Sequence, residues 1–163
     1  MPDRPRETAS ERAERLYGEL GSDFYRYAVM LLADPASAED AIQQVFAALL
    51  RHRGSIEHEA HYLRRAVRNE CYSMLRGRVR RKEQTGRPLL EAVAPDGVNQ
   101  AERLALEDAI RGLSAEQREV IHLHVFEGWT FQEVADASGE SINTVASRYR
   151  YALTRLREAL TPR

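Results

Sequence analysis

The side chains best suited to chemistry in this sequence are arginines. Of 24 Lys and Arg residues, Lys82 alone is lysine, so nearly every cation is a planar, permanently ionised fork that can grip phosphates and base edges at two points. Arg64, Arg65, Arg68, Arg76, Arg78, Arg80 and Arg81 fall in one short stretch, and Arg148, Arg150, Arg155 and Arg157 fall in another. Residues 62–82 carry a net +7 and residues 142–163 a net +4, whereas residues 1–61 carry −4 and residues 83–141 carry −8. The overall charge of −1 therefore hides two basic blocks, the footprint of a chain that meets a polyanion at two places. Solvated helix faces and a basic tail would produce the same distribution, and charge by itself leaves both readings open.

Other chemistry is set aside on spacing. His58, Glu59 and His61 lack the H-E-x-x-H step that aims two imidazoles at one metal. His122 and His124, two apart on a helix, point about 200° from each other and cannot share an ion. Cys71 is the only cysteine, which excludes an internal disulfide and a multi-cysteine zinc site; it reads as a small core residue. No glycine loop for phosphate and no Ser/His/Asp set is present. No catalytic residue, metal or cofactor is expected.

Residues 131–153, FQEVADASGESINTVASRYRYAL, are the most informative. A helix-turn-helix needs a small residue where its helices cross, a residue tolerant of positive φ in the turn, and apolar residues that lock the second helix. Ala135, Gly139, Ile142 and Val145 supply these at four-, three- and three-residue steps. Ser141, Asn143, Thr144, Ser147, Arg148 and Arg150 then face outward, toward a major groove and its phosphates.

The elements that must position these residues all read as helices, since apolar residues recur at three- and four-residue spacing. A first helix is predicted over residues 11–32, with Leu16, Leu20, Phe24, Tyr27, Ala28, Leu31 and Leu32 as its buried stripe. Asp34 as cap and Pro35 in the first turn open a second, with Ala38, Ile42, Val45, Leu49 and Leu50 inward and Asp40, Gln43 and Gln44 on or near the outer face. Phe46 is placed at the edge of that face as a partly exposed aromatic. A third helix over residues 59–80 packs Tyr62, Leu63, Ala66, Val67, Cys71, Met74 and Leu75, and its arginine side wants a counter-anion.

Periodicity fails between residues 82 and 99, where Gly86, Pro88, Pro95 and Gly97 cluster. The expected fold is all-α: two small helical domains, residues 10–81 and 100–161, joined by a flexible linker at 82–99, with the helix-turn-helix in the second. Ser114 with Gln117 and Thr130 with Glu133 have capping-box spacing, and Ser141 is a further N-cap. No apolar run approaches the roughly 18 residues that span a bilayer, and the first 20 residues lack the apolar segment of a signal peptide. A cytoplasmic protein without membrane insertion is expected.

Three motifs in order, AEDAIQQVF at 38–46, YLRRAVRNECYSMLR at 62–76 and the run from Leu113 to Leu160, closely resemble bacterial RNA polymerase sigma factors. They are most similar to the small extracytoplasmic-function group, which keeps only the second and fourth conserved regions, and the likeness covers about residues 10–160. It implies that Asp40, Gln43, Gln44 and Phe46 dock on the β′ coiled coil of core RNA polymerase. It implies that Tyr62, Leu63, Arg64, Arg65, Arg68, Asn69 and Arg76 recognise and melt the minus-ten element, with a flipped base received near residues 54–61. Ser141, Asn143, Thr144, Ser147, Arg148 and Arg150 would read the minus-35 duplex. Implied partners are the β′ and β subunits, promoter DNA and an anti-sigma protein. The chain departs from the family at Tyr62, usually Trp, at Ser73, usually Asp, and at Ala146, frequently Lys.

A free-standing helix-turn-helix regulator is the alternative reading, and an interaction protein with basic faces a third. Because acidic segments oppose the approach of DNA, the isolated sigma-like protein is expected to bind duplex poorly.

Overall fold

Thr8 begins the first helix, α1 (Ala9–Leu32). Its hydroxyl accepts from the Glu11 amide at 3.2 Å while the Glu11 carboxylate accepts from the Thr8 amide at 2.8 Å. This reciprocal cap satisfies two otherwise orphaned donors and starts the helix two residues ahead of the predicted position. The computed structural model describes residues 6–81 and 99–161; the predicted linker, apart from Asn99, lies outside the described residues.

α1 stops at Ala33, whose φ of 52° is left-handed and whose amide donates to the Val29 carbonyl at 2.8 Å. Asp34 turns the chain at once into α2 (Pro35–Arg51), accepting from the Ser37 amide at 3.1 Å. A loop then leads to α3 (Glu59–Arg81). Leu16, Phe24, Tyr27, Leu31 and Leu32 of α1 bury against Ala38, Ile42, Val45 and Leu49 of α2 and Leu63, Val67 and Cys71 of α3. Each large side chain so covered contributes about 1.5–3 kcal/mol.

Three expectations for this bundle are corrected. Leu50 is exposed, 100° around the helix from the buried Leu49. Phe46 is buried, because it reaches back over α1 and meets the Tyr17 ring edge-on at 5.2 Å. Tyr62 lies outside the core, exposed beside His52.

Asn99 caps α4 (Gln100–Arg111), and Ser114 with Gln117 forms the predicted box at the start of α5 (Ala115–Ile121). The helix expected to carry His122 and His124 does not continue as such. The winding widens into a π turn at His122–Phe126, with the Glu127 amide donating to the His122 carbonyl at 3.2 Å. Gly128, at φ 73°, turns the chain into α6 (Phe131–Ser138), capped by Thr130 and Glu133.

Gly139 adopts φ 71° in the helix-turn-helix turn, and Ser141 caps α7 (Ile142–Leu160). Val145 is fully buried among Val120, Leu123, Val134 and Ala135. Ile142, expected to help lock the crossing, is 45% exposed. It is the first residue of α7, one turn outside the point where the helices meet. Among the described residues there is no strand, and no helix is long and apolar enough to cross a membrane.

Candidate nucleic-acid interface

The helix-turn-helix presents the predicted residues on its outer side. Ser141, Asn143, Ser147 and Arg150 are exposed, and Thr144 and Arg148 are half-buried. The Ser141 and Thr144 hydroxyls lie 2.9 Å apart, so Thr144 is tied to the cap. Arg148 pairs with Glu140 at 3.0 Å, and Arg150 donates to the Ser147 hydroxyl at 3.2 Å. Such exposed contacts are weak enough for a phosphate to replace them.

On α2, Asp40, Gln43 and Gln44 are exposed together, with Phe46 beneath them in the core. Gln43 also borders a groove with Tyr17, Tyr25, Glu39 and Ile42. The loop before α3 is held from α1: Arg12, itself buried, donates to the carbonyls of Gly54 at 2.7 Å and His52 at 3.0 Å. Arg15 reaches Glu59 at 3.1 Å. Neither Arg12 nor Arg15 was singled out from the sequence.

The α3 face divides. Tyr62, Arg65, Asn69 and Arg76 are exposed, whereas Arg64 and Arg68 face α5 and the chain beyond it. Arg64 makes a two-pronged contact with Glu127, at 2.5 and 3.2 Å, with its guanidinium 4.8 Å from the centre of the Trp129 ring and 5.2 Å from that of Tyr27. Arg68 grips Glu119 in the same way, at 2.7 and 3.2 Å. Glu119, 3% exposed, also accepts from the Tyr27 and Tyr72 hydroxyls at 2.5 and 2.8 Å. Burial and the neighbouring Glu119 charge push both phenols well up. Burial alone would lower the Arg68 pKa, but the Glu119 hydrogen bond and charge raise it. The counter-anion that the arginine side of α3 demanded is thus supplied from within the chain.

Arg118, next to Glu119, closes the seam. The last four carbonyls of a helix lack partners in their own helix, and at α1 all four are met. Ala33 donates to Val29, Arg118 to Met30 at 2.6 Å and to Leu31 at 2.7 Å, and Arg78 to Leu32 at 2.5 Å. α1 has no basic residue in its last turn, so the cations that its dipole favours there come from α3 and α5. Arg118 also donates to the Leu113 carbonyl, and burial, with Arg78 nearby, lowers its pKa to about 10. Neither Arg118 nor Glu119 was a sequence candidate; their one signal is a charged pair directly before the apolar Val120 and Ile121.

A cleft along this seam is lined by Arg64, Arg65, Arg68 and Asn69 on one side and by Glu119 and Gly139 on the other. His122 contacts Glu127 at 3.0 Å and His124 contacts the Trp129 carbonyl at 2.6 Å, so the π turn sends the two imidazoles into different surroundings. Among the described residues no three His, Cys, Asp or Glu side chains gather as metal ligands would.

An all-helical chain with a helix-turn-helix and a second, arginine-rich face belongs to the DNA-handling transcription proteins. Comparison with known proteins narrows this. The family model for Sigma-70 region 2 matches residues 16–81, and that for Sigma-70 region 4 matches residues 109–158. The chain is 35% identical over 155 residues to the ECF RNA polymerase sigma factor SigL of Mycobacterium tuberculosis, covering 89% of this chain and 86% of that one. It is 34% identical over 142 residues to the RNA polymerase sigma-E factor of Streptomyces coelicolor, covering 85% and 80%. Among solved structures it is similar to the sigma factor RpoE of Bartonella quintana in complex with the anti-sigma factor NepR, with a TM-score of 0.65 and 26% identity over 93% of this chain and 97% of that one. The chain belongs to the extracytoplasmic-function RNA polymerase sigma factors, and it directs transcription initiation. Members of this family regulate transcription and are not themselves catalysts. Family membership decides against the free-standing regulator.

Proposed function

We propose that the chain engages core polymerase and promoter through two units, residues 10–81 and 100–161, connected by residues 82–99, and that it does so in the cytoplasm. Asp40, Gln43 and Gln44 bind the β′ subunit, with Phe46 buttressing their helix from below. Tyr62, Arg64, Arg65, Arg68, Asn69 and Arg76 capture the unpaired minus-ten strand: an aromatic and arginine forks stack on bases and hold phosphates without needing duplex geometry. The loop anchored by Arg12 receives a flipped base. Ser141, Asn143, Thr144, Ser147, Arg148 and Arg150 read the minus-35 duplex, and the second unit also meets the β subunit. An anti-sigma protein is a further partner, and bond-making belongs to the polymerase.

The observation that best supports this reading is the polar, largely exposed N-terminal half of α7, set on a turn that Gly139 makes, within the residues matched to region 4. Run-off transcription with purified core polymerase on a library of genomic fragments from the source bacterium tests it. Discrete transcripts that require this chain are expected. Their absence, while a control sigma factor fires on the same core, overturns the assignment.

A further inference from the structure

The two α3 arginines that face the second unit are both occupied. Arg64 is paired with Glu127 and Arg68 with Glu119, each through two nitrogens on two oxygens. That is the geometry in which guanidinium binds a phosphate or a carboxylate, and one fork cannot hold both. The Trp129 ring lies against Arg64, on a face that a base would need for stacking. The side chains of both pairs are largely shielded, at 20% and 18% exposed for the first and 26% and 4% for the second, so salt screens them less than surface pairs.

We infer that the chain alone is self-inhibited: the carboxylates of Glu119 and Glu127 occupy the strand-binding arginines of α3 as an intramolecular substitute for DNA, and the seam must open before Arg64 and Arg68 can take a single strand. This rests on the proposed role of α3. The closed form is held by the Arg118 contacts to Met30 and Leu31, yet it is poised for opening. Separation returns a buried guanidinium, a buried carboxylate and two helix-end carbonyls to water, which solvates all of them well. The exposed Arg65, Asn69 and Arg76 remain available for a first, weak encounter with DNA while the seam is shut.

The test uses the full chain with spin labels at Glu14→Cys and Thr154→Cys, both exposed and on opposite units; the buried Cys71 stays unlabelled. Double electron–electron resonance on the otherwise wild-type protein is expected to give one narrow distance. Arg64→Glu and Glu127→Arg are each expected to lengthen and broaden it, and the combined swap to restore it, with helical circular dichroism unchanged throughout. A broad distribution in the wild type, or a distance indifferent to both single changes, overturns the inference.

Binding to a fluorescein-labelled single-stranded 20-mer of mixed sequence supplies the second readout. Glu119→Gln with Glu127→Gln should tighten binding about tenfold or more, by releasing the competent state. The charge-matched control Glu39→Gln with Asp108→Asn, both exposed, should change it less than about threefold, because it alters only long-range, screened electrostatics. Equal effects from the two pairs also overturn it. The distance measurement involves no polymerase, so a failed run-off assay with an intact swap result refutes the promoter reading and leaves the closure standing.

Discussion

Arg118 offers a sharp test of how the two units are held together, through Arg118→Ala. The side chain is 6% exposed and donates to three carbonyls, those of Met30, Leu31 and Leu113. Hydrogen bonds from a charged group contribute about 1.5–3 kcal/mol each, which sets a gross loss of about 4–9 kcal/mol. Against this stands the cost of burying the charge. Lowering the pKa from 12.5 to about 10 corresponds to a cost on the order of 3 kcal/mol, and the substitution removes it. The net loss should then be about 1–6 kcal/mol.

That loss should appear as undocking and not as global unfolding. The Met30 and Leu31 carbonyls lie in the last turn of α1 and become hydrated once α5 moves away, while α1 packs more extensively on α2 and α3 than on α5. Trp129 is the only tryptophan and lies against Arg64 at the seam, which makes it a built-in reporter. In Arg118→Ala its emission should move to longer wavelength in buffer while far-ultraviolet circular dichroism keeps its helical amplitude. Emission unchanged from wild type, or a shift that appears only together with loss of helix in urea, refutes the argument.

Four further outcomes are expected. Burial, with Glu70 and Glu119 nearby, pushes the Cys71 thiol up to about 12, so a maleimide at neutral pH should label it only in denaturant; rapid native labelling refutes this. Gly139→Ala meets open space but must hold φ 71°, so it should cost about 1–2 kcal/mol in urea titrations; a neutral result means the turn relaxes. Burial pushes the Glu127 carboxyl up, but hydrogen bonds from His122 and Arg64 and the Arg64 charge hold it below its ordinary 4.5. Arg64 faces it from α3, Asp23 and Arg26 line the same cavity from α1, and His122 faces it from the π turn. A carboxyl lowered on docking stabilises the docked form above its undocked pKa and loses that contribution as pH falls through the docked value. Trp129 emission should therefore shift on acidification below about 4.5, and an identical transition in Glu127→Gln contradicts the assignment. Finally, Asp40→Ala with Gln43→Ala should weaken binding to core polymerase with helical content intact, and unchanged affinity removes those residues from the interface.

Much of this architecture is legible in local chemistry. Asp34-Pro35, Ser114 with Gln117, Thr130 with Glu133 and Ser141 announce four helix starts, because a cap is a contact among residues three apart and needs nothing from the rest of the chain. Gly139 marks the helix-turn-helix for the same reason. The errors arise where burial depends on a neighbour in space. Leu50 is as apolar as Leu49 but faces water, Phe46 turns inward because Tyr17 lies above it, and Ile142 falls one turn short of the crossing. The π turn at His122–Phe126 also escapes a reading built on a 3.6-residue period, since one widened turn rotates every later side chain.

The same division runs through the site. Residue pattern and spacing carry the helical class, the outward residues of α7, the family likeness and the presence of a basic face on α3 beside an acidic excess in residues 83–141. Which carboxylate meets which arginine is a matter of packing in space. Glu119 and Arg68 are 51 residues apart, Glu127 and Arg64 are 63 apart, and Arg118 reaches carbonyls 87 and 88 residues away. Charge is a sum that any chain order preserves, whereas a guanidinium–carboxylate pair is a geometry of a few ångströms that exists only once α5 has docked on α1 and α3.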